Sequence, residues 1–238
     1  MKGIEEMDPK GKRMLGVFAH PDDLEFAAGG TISKWIEGGA EFYYLVCTDG
    51  SLGTTDPSKS RDDVSQARRE EELNASRVLG VKDLFFLNHR DTELMPDSSL
   101  KKEIVRYVRM LKPDLVMTTD PSAIYYPSRM RLNHADHRAA GLATIDAVFP
   151  LARKRSAFEE LEEEGLAPHR VSEIYITNSE SFNMVSDISG TIEKKLAALA
   201  EHKSQVNELA LERVRGWAED LGKKTGKGYA EGFVRIIL

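Results

Sequence analysis

The chain has 238 residues, of which 41% are hydrophobic and 30% charged, and its formal net charge is −6. This length suits one large domain, and the composition supports a packed core and excludes a disordered chain. An acidic chain lacks the basic face that nucleic-acid binding requires, so we expect no nucleic-acid partner. We expect a single domain over residues 1–238.

Cysteine content and the N-terminal residues bear on the cellular compartment. The single cysteine, Cys47, excludes an intrachain disulfide and a zinc site built from several thiolates. It lies in the apolar run 42–48, which predicts a buried thiol. Residues 1–13 lack the apolar core of a signal peptide, and no apolar run approaches the roughly 18 residues of a membrane span. We therefore expect a cytoplasmic protein with no membrane partner.

Strand-type apolar runs alternate with amphipathic helical stretches through the first two-thirds of the chain. Strands are predicted at 14–19, 42–48, 83–87, 114–119 and 173–177. Helices are predicted at 24–39, 65–80, 100–111, from about 136, at 191–206 and at 208–222, and the acidic segment 158–165 as a solvated helix end or loop. Loops rich in turn residues fall at 50–60 and 120–133. This alternation predicts an α/β, Rossmann-like three-layer fold with a mostly parallel sheet and helices on both faces.

The first predicted strand ends in the sequence AHPDD, which contains His20, Asp22 and Asp23. In parallel sheets, ligands bind beyond the carboxyl ends of the strands, so this turn is a candidate site. A capping role at the following helix would explain one carboxylate. It would not explain a histidine and two consecutive carboxylates in one turn, which is a pattern typical of metal binding.

A second cluster, NHADHRAAG, places His134, Asp136 and His137 between the long loop and the next helix. One imidazole can bind a cation while a carboxylate accepts the remaining N–H of another ring. Spacing alone leaves His134 and His137 interchangeable as ligands. Taken alone, the cluster also fits a surface turn with two histidines, but both clusters fall at the predicted ligand crevice.

Together, AHPDDLEFAAGG and NHADHRAAG resemble the paired motifs of the LmbE-like, or PIG-L, family of zinc-dependent N-acetylglucosaminyl deacetylases. The resemblance extends along most of the chain. The segments TDGSLG, ARREEELNASRVLGV, FLNHRDTEL and HKSQV are similar to the family's later signatures. Ala135 stands where the family often has proline, a departure that affects loop stiffness and not ligation.

The resemblance implies a role for each residue of the two motifs. His20, Asp23 and His137 would bind the metal, Zn²⁺ or another divalent ion, and Asp22 would be the general base. His134, hydrogen-bonded to Asp136, would be the acid or oxyanion partner. For substrate binding the resemblance implies three further residues, Arg68, Asp49 and Asp91. Arg68 lies in a charge-dense helix, so it also fits a solvent-exposed face of salt bridges.

These roles imply hydrolysis of the N-acetyl group of a small N-acetylglucosamine-type sugar or conjugate. Two imidazoles and one carboxylate leave a fourth coordination position for water, as in catalytic zinc sites. Two alternatives remain open: an amidase that acts on a thiol-sugar conjugate, and a non-catalytic metal- or sugar-binding protein on the same scaffold. A binding protein has no need of a base such as Asp22 beside its metal ligands.

Several further residues carry no clear chemical prediction. His89 and His169 are predicted to be solvent-facing or structural. His202 fits either a pocket or subunit contact or a helix surface, and the loop residues Tyr125 and Tyr126 fit either a sugar pocket or loop packing. The apolar faces of the late helices fit a core or an interface, and we expect a homo-oligomer.

Overall fold

The computed structural model describes residues 6–128 and 130–238. The prediction that residues 1–13 form no signal peptide therefore lies partly outside the described residues. The strands are β1 (Arg13–Phe18), β2 (Glu41–Thr48), β3 (Asp83–His89), β4 (Leu115–Thr119), β5 (Tyr125–Tyr126), β6 (Arg131–Leu132), β7 (Glu173–Thr177), β8 (Met184–Asp187) and β9 (Ala230–Ile237). The α-helices are α1 (Asp23–Glu37), α2 (Arg61–Leu79), α3 (Ser98–Leu111), α4 (Ala135–Val148), α5 (Glu159–Glu163), α6 (Ile192–Leu199) and α7 (Glu208–Thr225).

Seven strands form one sheet in the order β3-β2-β1-β4-β7-β9-β8. The first five strands of that order run parallel to one another, and β9 runs antiparallel to both of its neighbours. The mostly parallel α/β fold predicted from the sequence is therefore confirmed. The chain moves from β1 outward to β2 and β3 and then returns to place β4 on the other side of β1. This reversal opens a crevice at the carboxyl ends of β1 and β4.

Strand β1 is buried on both faces because each face carries its own helical layer. Leu15 and Val17 pack in the core shared with α3 and α4, whereas Met14 and Phe18 pack in the core shared with α1 and α2. Such two-sided burial explains why the strand is a continuous apolar run and not an alternating one. It also fixes the end of β1, and hence His20, against movement along or across the sheet.

Helix α4 is held close to the end of β4 by a glycine. A Cβ atom at Gly141 would collide with the carbonyl oxygen of Thr119. The absence of a side chain therefore lets the first two turns of α4 approach the strand end directly. The helix begins after His134, whose ring accepts a hydrogen bond from the backbone N–H of Asp136 at 3.2 Å.

Some predicted elements differ from the structure. The predicted helix 191–206 ends at Leu199, and turns follow it as far as α7. The predicted loop 120–133 contains the two-stranded hairpin β5–β6. Strand β9 was not predicted, because its sequence carries no alternating pattern. It is buried at its start and exposed near its end. Among the described residues, no helix combines the length and apolar character needed to cross a bilayer.

Candidate metal centre

The two predicted motifs meet at the crevice beside β1. His20 lies two residues beyond the end of β1, Asp22 caps α1 and Asp23 begins it, and His137 lies in the first turn of α4. Nδ1 of His20 is 3.2 Å from Nε2 of His137, and that nitrogen is 3.0 Å from Oδ1 of Asp23. Oδ2 of Asp23 lies 3.6 Å from Nδ1 of His20. The fold thus brings together donor atoms that are more than 110 residues apart in the chain.

The three groups at this point suit a divalent cation in both chemistry and spacing. One ring nitrogen from each of His20, His134 and His137 also lies within 4.8 Å of the other two. Donors separated by about 3–4 Å are those that one ion with bonds of about 2.0–2.2 Å can bridge. Two imidazoles and one carboxylate then leave a coordination position for water. His20, Asp23 and His137 are therefore a candidate metal site, and the residues present fit the ion.

The second nitrogen of the His20 ring is held by carboxylates. Nε2 lies 3.1 Å from Oδ1 of Asp91 and 3.3 Å from Oδ2 of Asp136. A proton on Nε2 satisfies these carboxylates and leaves Nδ1 with its lone pair directed at Asp23 and His137. Asp136 and Asp91 therefore orient the His20 ring.

This arrangement corrects one expectation. The carboxylate of Asp136 was expected to bond His134, but it lies against His20 and accepts the backbone N–H of Thr92 at 2.7 Å, because the start of α4 turns it inward. Asp91, a predicted substrate contact, is 4% exposed, and its second oxygen accepts the backbone N–H of Leu52 at 3.1 Å. Contact with a substrate stays a prediction for this residue.

Electrostatics in the centre favour a cation. Burial opposes ionisation of Asp23, but the neighbouring rings of His137 and His20 outweigh it and hold the pKa of Asp23 well below its usual range. Burial likewise opposes a charged His20, but hydrogen bonds to Asp136, Asp23 and Asp91 raise its pKa well above 6.5. Several carboxylates thus converge on one ring, and they stabilise positive charge at this position.

Asp22 lies beside the three candidate ligands. Its side chain is 14% exposed, and its Oδ2 accepts a hydrogen bond from Nη2 of Arg68 at 3.1 Å. Burial raises the pKa of Asp22 above its ordinary value, although the charge of Arg68 opposes this effect. A carboxylate with a raised pKa accepts a proton more readily than a solvated aspartate does.

His134 lies on the exposed side of the centre, with its ring centroid 4.8 Å from that of His20. Burial and the neighbouring His20 and His137 lower the pKa of His134, although the carboxylate of Asp136 acts in the opposite direction. Because Nδ1 accepts the backbone N–H of Asp136, the neutral ring carries its proton on Nε2. His134 can therefore donate a hydrogen bond toward the crevice while it remains neutral.

The other two predicted substrate contacts have partners in the protein. Arg68 is 5% exposed and donates to the carbonyl oxygens of Pro21 and Gly50, so it is not part of a solvated salt-bridge face. Asp49 accepts the backbone N–H groups of Ser51 and Asp91. Both residues order the loops around the crevice, and contact with a substrate stays a prediction for them.

A group of buried residues behind Asp22 was not predicted from the sequence. Glu25, Glu72 and His202 have no exposed surface, and Nε2 of His202 is 3.6 Å from Glu25 and 3.9 Å from Glu72. His202 thus lies on neither a helix surface nor an open pocket. One signal was available: Arg68 and Glu72 fall in the same helical stripe as Val64 and Leu79, which face the core.

The remaining histidines have structural partners, as predicted, and the two loop tyrosines differ in exposure. His89 pairs with Glu103 at 2.6 Å, and His169 contacts the carbonyl oxygen of Pro113 at 2.8 Å, so both have structural partners. In the hairpin before His134, Tyr125 is exposed and Tyr126 is buried. Tyr126 therefore packs the loop, whereas contact of Tyr125 with a sugar stays a prediction.

A parallel α/β sheet with histidine and aspartate donors at its switch point is typical of a metal-dependent enzyme site. Residues 15–148 match the PIG-L family, described as GlcNAc-PI de-N-acetylase. The chain is 37% identical over 230 residues to the diacetylchitobiose deacetylase of Thermococcus kodakarensis, which covers 95% of this chain and 83% of the relative. The chain belongs to the PIG-L family, and the predicted deacetylase class is confirmed.

Two further relatives agree with this assignment. The structure of the N,N'-diacetylchitobiose deacetylase from Pyrococcus horikoshii, complexed with its inhibitor MPG, superimposes with a TM-score of 0.87 at 34% identity, covering 95% of this chain and 84% of that one. A probable N-acetyl-alpha-D-glucosaminyl L-malate deacetylase 2 from Bacillus anthracis is 27% identical, covering 87% of this chain and 89% of the relative. Relatives with different named substrates therefore align with most of this chain.

Proposed function

We propose that the chain, acting as one domain, removes the acetyl group from an N-acetylglucosamine unit of a short sugar, with N,N'-diacetylchitobiose as the first substrate to test. The observation that carries the proposal is the convergence of His20, Asp23 and His137 with Asp22 beside them. The similarity to a named diacetylchitobiose deacetylase supports the choice of sugar. Zn²⁺ is the ion we propose, although nitrogen and oxygen ligands also admit Fe²⁺, Co²⁺ or Mn²⁺.

In the proposed reaction, water adds to the acetyl carbonyl carbon, the C–N bond breaks, and acetate and a free amine leave. His20, Asp23 and His137 would hold a divalent ion, which would supply Lewis acidity when bound. Asp22 accepts the proton of the attacking water. The Nε2–H of His134 donates a hydrogen bond to the acyl oxygen as negative charge develops there. The proton on Asp22 then passes to the departing nitrogen.

The substrate is tested by acetate and amine release from the zinc-loaded protein. A panel would contain N-acetylglucosamine, N,N'-diacetylchitobiose and N-acetylglucosaminyl conjugates of malate and inositol. We expect equal amounts of acetate and free amine from at least one sugar. Release of an amine without acetate from a thiol-sugar conjugate would favour the amidase alternative, and no release from any compound would favour a non-catalytic binding protein.

The base is tested by Asp22→Asn, with Asp56→Asn in the exposed loop as the matched control. We expect Asp22→Asn to retain about one metal ion per chain and to lose turnover, because the amide cannot accept the proton. The control should match the wild type in both respects. Wild-type turnover in Asp22→Asn would contradict the base assignment.

Homo-oligomerisation and a cytoplasmic location stay predictions. Light scattering of the purified protein tests the oligomeric state.

A further inference from the structure

The backbone of Asp22 has an unusual conformation. Its φ of 101° and ψ of −25° lie on the left-handed side, where residues with a Cβ atom are strained. Asp22 occupies the N-cap of α1, yet its side chain makes no capping hydrogen bond. The carbonyl oxygen of Asp22 accepts the backbone N–H of Phe26 at 3.1 Å, but this bond leaves the preceding peptide unit and the side chain to be held by other contacts.

Helix α2 supplies those contacts through two side chains that are one turn apart. Nη2 of Arg68 donates to the carbonyl oxygen of Pro21 at 2.5 Å, and the backbone N–H of Asp22 donates to Oε2 of Glu72 at 3.0 Å. These two backbone groups belong to the same peptide unit, the one that joins Pro21 to Asp22. Residues spaced by four lie on one face of a helix, so α2 holds both polar ends of a single peptide plane.

We propose that Glu72 is a positioning residue that fixes the peptide plane of Asp22 and thereby directs its carboxylate at the reacting water. This inference rests on the proposed role of Asp22 as the general base. Glu72 does not reach the crevice itself, because it has no exposed surface. It acts through the backbone of Asp22, whereas Arg68 contacts both the same peptide unit and the Asp22 carboxylate.

The surroundings of Glu72 hold its carboxyl group in one orientation. Its Oε1 accepts a hydrogen bond from Oγ of Ser76 at 2.9 Å, so both oxygens have protein donors. Behind it lie His202 and Glu25, both fully buried. Glu25, Glu72 and His202 are also close enough to share a cation. The two hydrogen bonds already made by Glu72 favour the positioning role over a second metal site.

The test compares two substitutions of Glu72. Glu72→Gln keeps a carbonyl oxygen that can accept the Asp22 N–H, whereas Glu72→Met fills the same space and removes the acceptor. We expect Glu72→Met to lower kcat by roughly 100-fold, the cost of a misplacement of about 1 Å, with KM and metal content unchanged. Glu72→Gln should retain kcat within a few fold of the wild type. A merely structural role would not split kcat from KM in this way.

The matched control is Glu231→Gln. Glu231 is also buried and accepts the backbone N–H groups of Gly30 and Thr31 in the same helix α1, but far from the crevice. We expect it to lower Tm without changing the kcat of the folded protein. If Glu72→Met does not fold, Ser76→Ala, which frees Oε1, should lower kcat by a smaller factor with KM unchanged.

Three results would overturn the positioning role. The first is a folded Glu72→Met protein with the kcat of the wild type. The second, if Glu72→Met does not fold, is a Ser76→Ala protein with the kcat of the wild type. The third is a wild-type metal content of two ions per chain with one ion lost in Glu72→Met, which would make the buried group a second metal site. Failure of the base assignment is distinguished separately, because it appears as full activity in Asp22→Asn whatever Glu72 does.

Discussion

Oδ2 of Asp136 lies 3.3 Å from Nε2 of His20, and neither residue is more than 7% exposed. The carboxylate fixes the proton of the imidazole on the side away from the candidate metal position. His20 is therefore presented to a cation through Nδ1, while His137 is presented through Nε2. The two histidines therefore face each other through different ring atoms.

The contact between Asp136 and His20 predicts an effect on metal affinity. Asp136→Asn removes the negative charge that orients the ring, so we expect Zn²⁺ affinity to fall by roughly 10–100-fold. Competition with a chromogenic chelator measures this change. Asp146→Asn, on the exposed part of the same helix, is the control and should bind as the wild type does. Equal affinity in the two variants would show that Asp136 does not support His20.

The close approach of α4 to β4 predicts sensitivity at Gly141. Gly141→Ala places a methyl group against the carbonyl oxygen of Thr119, so α4 must shift. We expect a loss of about 1–3 kcal/mol in the free energy of unfolding and a weaker metal site, since α4 carries His137. Thermal unfolding and metal titration measure the two effects.

The control for this substitution is Gly216→Ala in α7, where an added Cβ would meet nothing within 4 Å. Alanine should leave the free energy of unfolding unchanged or raise it by up to about 1 kcal/mol, because it favours the helix. A Gly141→Ala protein as stable as the wild type would mean that the helix and strand can separate without cost.

The buried glutamates predict how stability depends on pH. Burial, reinforced by the charge of Glu25, raises the pKa of Glu72 well above 4.5. The folded protein therefore retains a proton that the unfolded chain has lost, so stability falls as pH rises above 4.5 until the folded-state pKa is passed. Burial also raises the pKa of Glu25, to about 8, which acts in the same direction.

Glu72→Gln removes one of these titrating groups. Urea unfolding of the chelator-treated protein should show a smaller decrease in free energy between about pH 5 and about pH 8 than the wild type shows. Glu70→Gln, an exposed position on the same helix, should follow the wild-type curve. An identical decrease in Glu72→Gln would mean that Glu72 is ionised in the folded protein.

The single thiol predicts a simple report on unfolding. Cys47 has no exposed surface, and burial raises its pKa, so the reactive thiolate is suppressed. We expect Ellman's reagent to leave the native protein unmodified and to label one thiol per chain in urea. Ser58→Cys, in the exposed loop, should react at once without denaturant. Rapid labelling of native Cys47 would contradict the burial of β2.

The sequence by itself determined the elements and the chemistry at the first strand end. The apolar runs and helical periodicity predicted the parallel strands, because burial on both faces leaves a strong local pattern. AHPDD stood at the end of such a run, so His20, Asp22 and Asp23 could be assigned to a crevice. The edge formed by β8 and β9 left no such pattern, and it was found only in the structure.

Only the tertiary structure decided which side chains contact each other across different elements. Asp136 and Asp91 support His20, Glu72 holds the backbone of Asp22 across 50 residues of sequence, and His202 lies behind them. These contacts join different elements, so they depend on the register and depth at which the elements pack. Local sequence fixes neither quantity. Spacing identified which residues could bind a metal, and packing determined which of their atoms face it.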